Sequence, residues 1–145
     1  MFLETATALV CMANAIYFEG RSESTVAQIA IGQVIMNRVS DYRFPDSVCE
    51  VVTDGLRYSW DDTKIVRDKC AFSFYCDGKP EHINDKKSYR WAEEISWGIL
   101  HGRLHIDLTD GSTHYHANYV QPYWADAFTK TVCIDTHCFY RWENE

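Results

Sequence analysis

The sequence predicts a mostly α, α+β fold: a helical domain with a small sheet or hairpins toward the C-terminus. Three observations lead there. Apolar residues recur at helical spacing over 3–18, 25–39 and 84–101. From Thr113 onward the pattern changes, and 113–119 and 130–141 carry Tyr, Thr, Val, Ile and Phe in near-alternation. The chain has 145 residues, the size of one domain, so 1–145 is read as a single unit.

In the first helix, Ala6, Leu9, Val10, Ala13, Ile16 and Tyr17 fall on one face, and Gly20 is placed to give a left-handed stop. The second helix, 25–39, opens on Thr25 with Gln28 three residues on, the spacing of a capping box. It is apolar around most of its circumference, so it belongs at the centre of the fold. Gly32 inside it costs about 1 kcal/mol relative to Ala, and a close helix neighbour would justify it. Pro45 suggests a short helix over 45–53 that ends near Gly55. Residues 56–82 read as irregular. Asn84 or Asp85 caps the third long helix, Trp91, Ala92, Ile95, Ile99 and Leu100 form its stripe, and Gly102 ends it.

Composition removes several function classes. Lys and Arg number 14 against 21 Asp and Glu, a net charge of −7. A nucleic-acid binder carries a basic footprint, and an adhesive for acidic membranes is basic too. No run of 18 apolar residues occurs, so neither a membrane span nor a stable membrane association is expected. The first twenty residues lack a basic start and carry Glu4, which is unlike a secretory leader. Six cysteines, at 11, 49, 70, 76, 133 and 138, allow fifteen connectivities and include no CxxC pair.

Two stretches could carry chemistry. The first is Tyr17-Phe18-Glu19-Gly20-Arg21-Ser22-Glu23. A carboxyl walled by Tyr17 and Phe18 at a helix C-terminus loses solvation, which raises its pKa as a general acid requires. Alternatively Glu19 is solvated and paired with Arg21. Glu23 would then be a second carboxylate of a glycosidase pair, a partner for Arg21, or a cap. The second stretch is Gly111-Ser112-Thr113-His114-Tyr115-His116-Ala117-Asn118-Tyr119. On a strand His114 and His116 share a face, so they could bind zinc with a third ligand such as Asp107 or His137, or hydrogen-bond a sugar. Cys70 and Cys76 have no activating neighbour and read as structural.

Taken in order, these blocks resemble the SleB-like cell-wall hydrolase family, named for its spore-cortex-lytic members. Ala15 to Glu23 resembles its A-x-Y-x-E-[AG]-R-[GS]-E signature, and Gln28 with Val34-Ile35-Met36-Asn37-Arg38-Val39 resembles its next helix. Phe44-Pro45, Cys49 to Val52, Cys70 to Gly78, Thr113 to Ala125 and Lys130 to Arg141 continue the likeness across nearly the whole chain. The Thr-His-Tyr-His-Ala form is similar to versions in Gram-negative bacteria and their phages. The resemblance implies a lysozyme-like, mostly α fold that cleaves the glycan strands of peptidoglycan as a monomer without a cofactor or metal. Such enzymes are usually lytic transglycosylases with one catalytic glutamate, which maps onto Glu19. Arg21 and Glu23 would support it, and Ser73, Phe74, Tyr115, His116 and Tyr119 map to probable cleft blocks. A hydrolytic muramidase, a zinc amidase using His114 and His116, and a wall-binding module without activity are the alternatives. The expected place of action is the periplasm or cell wall, with a phage lysis enzyme accumulating first in the host cytoplasm. Two features depart from the family pattern. Ala71 stands where Gln is expected, and Cys133 and Cys138, unexpected there, could bridge a C-terminal hairpin.

Overall fold

The computed structural model describes residues 2–143, with side chains from Thr7 onward. Helix α1 spans Phe2–Gly20, α2 Thr25–Val39, α3 Val48–Val52 and α4 Lys86–Leu100. Strands β1 (Gly55–Tyr58) and β2 (Asp61–Cys70) form an antiparallel hairpin. A second antiparallel sheet holds β3 (His114–Ala117), β4 (Thr129–Ile134) and β5 (His137–Arg141), with β5 in the middle. The α+β reading, with its small C-terminal sheet, is therefore met.

Helix α2 is the centre, as its near-continuous apolar run requires. One side packs Ile31 and Ile35 with Met12, Ile16, Ile95 and Ile99 of α1 and α4; the other packs Ala30 and Val34 on Phe139 of the sheet. Gly32 has the close neighbour its position demands. A Cβ there would stand 2.5 Å from Ile99 Cδ1 and 3.3 Å from Ile16 Cδ1.

Several local expectations need correction. Gly20 is not a left-handed stop. It lies within the last turn of α1, and a Cβ there would meet Ile31 Cδ1 at 2.8 Å, so glycine permits close approach of α2 instead. The cap of α2 is Ser24, one residue before the expected Thr25; its hydroxyl accepts from Ala27 N at 3.2 Å. Gln28 instead donates to Gly20 O at 2.7 Å and closes the end of α1. Val10 and Trp91, assigned to inner stripes, are about half exposed, because the buried faces centre on Met12, Ala13 and Ile16 and on Ala92, Ile95 and Ile99. Ala6 lies outside the described side chains. Helix α3 begins after Pro45, with Ser47 as its cap, and Gly55 opens β1.

The segment expected to be irregular contains the β1–β2 hairpin. Its strands bury no face, and register shifts flank Arg57, so neither period shows in the sequence. Asp85 caps α4, accepting from Ser88 N at 3.0 Å, and Gly102 ends it at φ +73°.

All six cysteines are bonded: Cys11–Cys49, Cys70–Cys76 and Cys133–Cys138. The first ties α1 to α3. The second closes a short turn after β2. The third crosses between facing residues of β4 and β5, the hairpin bridge expected from the sequence.

Candidate active site

The last turn of α1 carries Tyr17, Phe18 and Glu19 into three different surroundings. Tyr17 is buried, and its hydroxyl accepts from Arg21 Nη1 at 2.7 Å and from Asp85 N at 3.0 Å. Arg21 is thereby turned toward Tyr17, not Glu19, so the Glu19–Arg21 pairing does not form. Phe18 stacks on Phe74 with ring centres 5.0 Å apart. Glu19, half-buried, points into a cleft of about 330 Å³.

Four further segments complete that cleft. Helix α2 supplies Arg38. The turn closed by Cys70–Cys76 supplies Ala71, Phe72 and Ser73. Strand β3 supplies Tyr115, His116 and Ala117, with Tyr119 just beyond, and β5 supplies His137. The disulfide holds the Ser73 turn in place, and the sheet brings β3 and β5 side by side.

Tyr115 donates its hydroxyl proton to Glu19 Oε1 at 2.8 Å. Burial lifts the Glu19 carboxyl above the ordinary range. The Tyr115 hydrogen bond, the His137 charge and a hydrogen bond from Ser73 pull the other way without cancelling it. Burial and the neighbouring Glu19 push the Tyr115 phenol well up, so at neutral pH it remains a donor. The result is a carboxyl that holds its proton beyond the usual pH, in contact with open space. This is what a general acid needs.

Glu23 is not a second carboxylate of this cleft. Its Oε1 stands 2.8 Å from His137 Nδ1 as an ion-pair contact, and it accepts from the Thr136 amide at 3.3 Å and from the Thr136 hydroxyl. It therefore fastens the α1–α2 loop to the β4–β5 turn and aligns His137. Phe74 is not among the residues lining the cleft; it stacks on Phe18, which is. Ser73, Tyr115 and His116 do line it. Tyr119 lies at its mouth, 83% exposed.

The two β3 histidines share a face, both packing on Trp124, at 5.0 Å and 5.7 Å between ring centres. His116 is fixed by Tyr140 Oη at 2.9 Å and Ala117 O at 2.7 Å. His114 is enclosed by Phe44, Trp124, Phe128 and Trp142. Burial, helped by the charges of Arg38 and Arg43, lowers its pKa to about 4. The other suggested ligands are engaged elsewhere: Asp107 with Thr109, Asn37 and Gly111, and His137 with Glu23. Among the described residues no group of three or more His, Cys, Asp or Glu side chains is gathered to hold a metal. The zinc arrangement suggested by spacing is not assembled.

Arg38 and His137 were not read from the sequence as cleft residues. Arg38 gave a signal, a lone cation in an apolar helix. His137 gave none, because its place depends on the β5 pairing.

A family model described as Cell Wall Hydrolase matches residues 22–140. The chain belongs to the cell wall hydrolase family. A spore cortex-lytic enzyme of Halalkalibacterium halodurans is 42% identical to this chain over 48 residues, covering 33% of this chain and 14% of that protein. One from Bacillus cereus is 46% identical over 48 residues, covering 33% and 18%. Such alignments span a third of this chain and less than a fifth of those longer proteins. Its fold is that of two solved structures. The catalytic domain of the Bacillus cereus SleB protein superposes with a TM-score of 0.66 at 23% identity, covering 94% of this chain and 91% of that one. The catalytic domain of the germination-specific lytic transglycosylase SleB from Bacillus anthracis gives 0.64 at 22% identity, covering 92% and 93%.

Proposed function

We propose that this hydrolase cleaves peptidoglycan between N-acetylmuramic acid and N-acetylglucosamine as a lytic transglycosylase, leaving 1,6-anhydro-muramic ends. The observation that carries the reading is Glu19: a carboxyl whose pKa burial raises, held by Tyr115, facing an open cleft. The name of the Bacillus anthracis neighbour, a lytic transglycosylase, supports it.

Glu19 gives its proton to the glycosidic oxygen, and the bond from that oxygen to C1 of muramic acid breaks. The carboxylate left behind then takes the proton of the muramoyl 6-hydroxyl as that oxygen bonds to C1. One group serves as acid and then as base, and it ends the cycle protonated. With Glu23 engaged at His137 and Thr136, no second carboxylate is needed for this accounting. Tyr115 and Ser73 hold Glu19, and His137 lines the cleft beside it.

The wall is the place of action in this reading, either from the periplasm or after release from a host cytoplasm during lysis. Three disulfides suit a chain that matures outside a reducing compartment. No described helix is long and apolar enough to cross a membrane, and the enzyme is proposed to act as a monomer.

The test is mass spectrometry of soluble products from purified sacculi, with Glu19→Gln in parallel. Anhydro-muramic ends that disappear in the variant are the expected result. Reducing muramic ends would make it a muramidase. New amino groups in place of new sugar ends would overturn the reading, as would full activity in Glu19→Gln.

A further inference from the structure

Arg38 brings a positive charge into the cleft and finds no partner for it in the fold. Its Nε donates to Thr113 O at 2.7 Å. The guanidinium lies over Phe44 at 4.7 Å and Phe72 at 5.9 Å, so its plane is fixed between rings and a carbonyl. Its terminal nitrogens bond no group among the described residues, and no described carboxylate reaches ion-pair distance. The field of Asp54 extends to it, but Asp54 Oδ1 is occupied by the Gly55 amide at 3.0 Å. Glu19 is turned to Tyr115, and His114, the nearby titratable ring, is held neutral.

A desolvated cation without a counterion is unfavourable, and folded proteins compensate such charges. Among the described residues only the distant field of Asp54 and the Tyr115 phenol offset it, and no carboxylate pairs with it, while the residue lines the cleft beside Glu19. The compensating anion then belongs to the substrate. A planar guanidinium offers paired N–H groups that match a carboxylate.

We propose that Arg38 is the carboxylate-binding residue of the cleft, taking a carboxylate carried by muramic acid. This rests on the peptidoglycan reading above. The group is either the lactyl carboxylate, free where the stem peptide has been removed, or a carboxylate of the stem itself. Arg38 is thus a substrate-binding residue, and its contribution appears chiefly in KM.

Three strand preparations separate the possibilities: glycan stripped of peptides by an amidase, uncrosslinked strands carrying peptides, and the latter with all carboxylates converted to amides. Wild type and Arg38→Gln are compared on each, with Arg38→Lys as the conservative variant and thermal unfolding as the check on folding. Arg38→Gln is expected to raise KM about 10- to 100-fold on carboxylate-bearing strands, and to leave the amidated strands within about twofold of wild type. Arg38→Lys recovers part of the loss. An effect confined to stripped strands assigns the lactyl carboxylate, and one confined to peptide strands assigns the stem. Wild type itself should bind amidated strands more weakly than the preparation that carries the assigned carboxylate, a comparison that needs no variant. Equal KM for wild type on stripped, peptide-bearing and amidated strands, or an equal loss in Arg38→Gln on all three, overturns the proposal alone. Failure of wild type to cleave any strand overturns the peptidoglycan reading and this inference with it.

Discussion

Tyr115 and Glu19 are separated by 96 positions in the chain, yet the phenol donates to the carboxylate at 2.8 Å. The contact joins the N-terminal helix to the first strand of the C-terminal sheet. It also sets the chemistry of the acid, since it opposes the burial that keeps the proton on Glu19.

Replacing Tyr115 by Phe removes that opposition. The Glu19 pKa rises further, so the alkaline limb of the rate–pH profile moves to higher pH. The maximal rate falls roughly 10-fold or more as the acid loses its orientation. Rates of muropeptide release between pH 4 and 9 check this; an unmoved alkaline limb contradicts the assignment of that limb to Glu19.

Glu19→Gln separates activity from stability. General acid catalysis contributes about 10²- to 10⁴-fold, and a loss at least that large is expected. Because the folded pKa is raised, the wild-type carboxyl loses folded-state stability as pH rises from its ordinary value through the folded one. The glutamine variant escapes that loss. Its melting temperature at pH 7 should equal or exceed wild type, and below pH 4 the difference should vanish.

Glu23→Ala should act on the fold first. The Glu23 and His137 side chains are each about 11% exposed, and Glu23 also accepts from Thr136, so its removal leaves these groups without their acceptor at a cost of about 1–3 kcal/mol. Denaturant unfolding should show that loss, with residual lytic activity well above that of Glu19→Gln. Equal inactivation with unchanged stability would return Glu23 to the chemistry.

His114 makes the fold acid-sensitive. Its pKa of about 4, against 6.5 unperturbed, means that stability is complete above pH 6.5 and is lost as pH falls toward 4. The charges facing it are Arg38, Arg43 and Asp41. About 2 kcal/mol is at stake once partial exposure is allowed for. His114→Phe keeps a ring in the aromatic cluster, and melting temperatures across that window should flatten.

The Cys11–Cys49 bridge spans 38 residues and joins the helix carrying Glu19 to α3. Replacing both cysteines by serine should remove about 3–4 kcal/mol, more than losing either short-range bridge. Melting of the three paired variants gives the order directly.

The long helices were legible because α1, α2 and α4 each bury a face over four or more turns, and the period survives in the residue order. The carboxyl proposed as the acid could be singled out too, since Glu19 stands where an apolar helix runs out. What surrounds it was not. Glu23 lies four residues from Glu19, yet is drawn to a β-turn from the far end of the chain. His137 enters the cleft only when β5 pairs with β3. Arg21 has a carboxylate two residues away and bonds a tyrosine instead. The hairpin over 55–70 left no mark because neither of its faces is dry. Short-range spacing cannot report choices made by tertiary partners.

The cleft draws Glu19 from α1 and its far wall from β5, so translation delivers Glu19 long before His137. Until β3 and β5 follow, the growing chain holds this carboxyl in water, with neither Tyr115 nor the sheet to desolvate it. The surroundings that raise the Glu19 pKa are therefore a product of the sheet's closure and not of the helix that carries the residue.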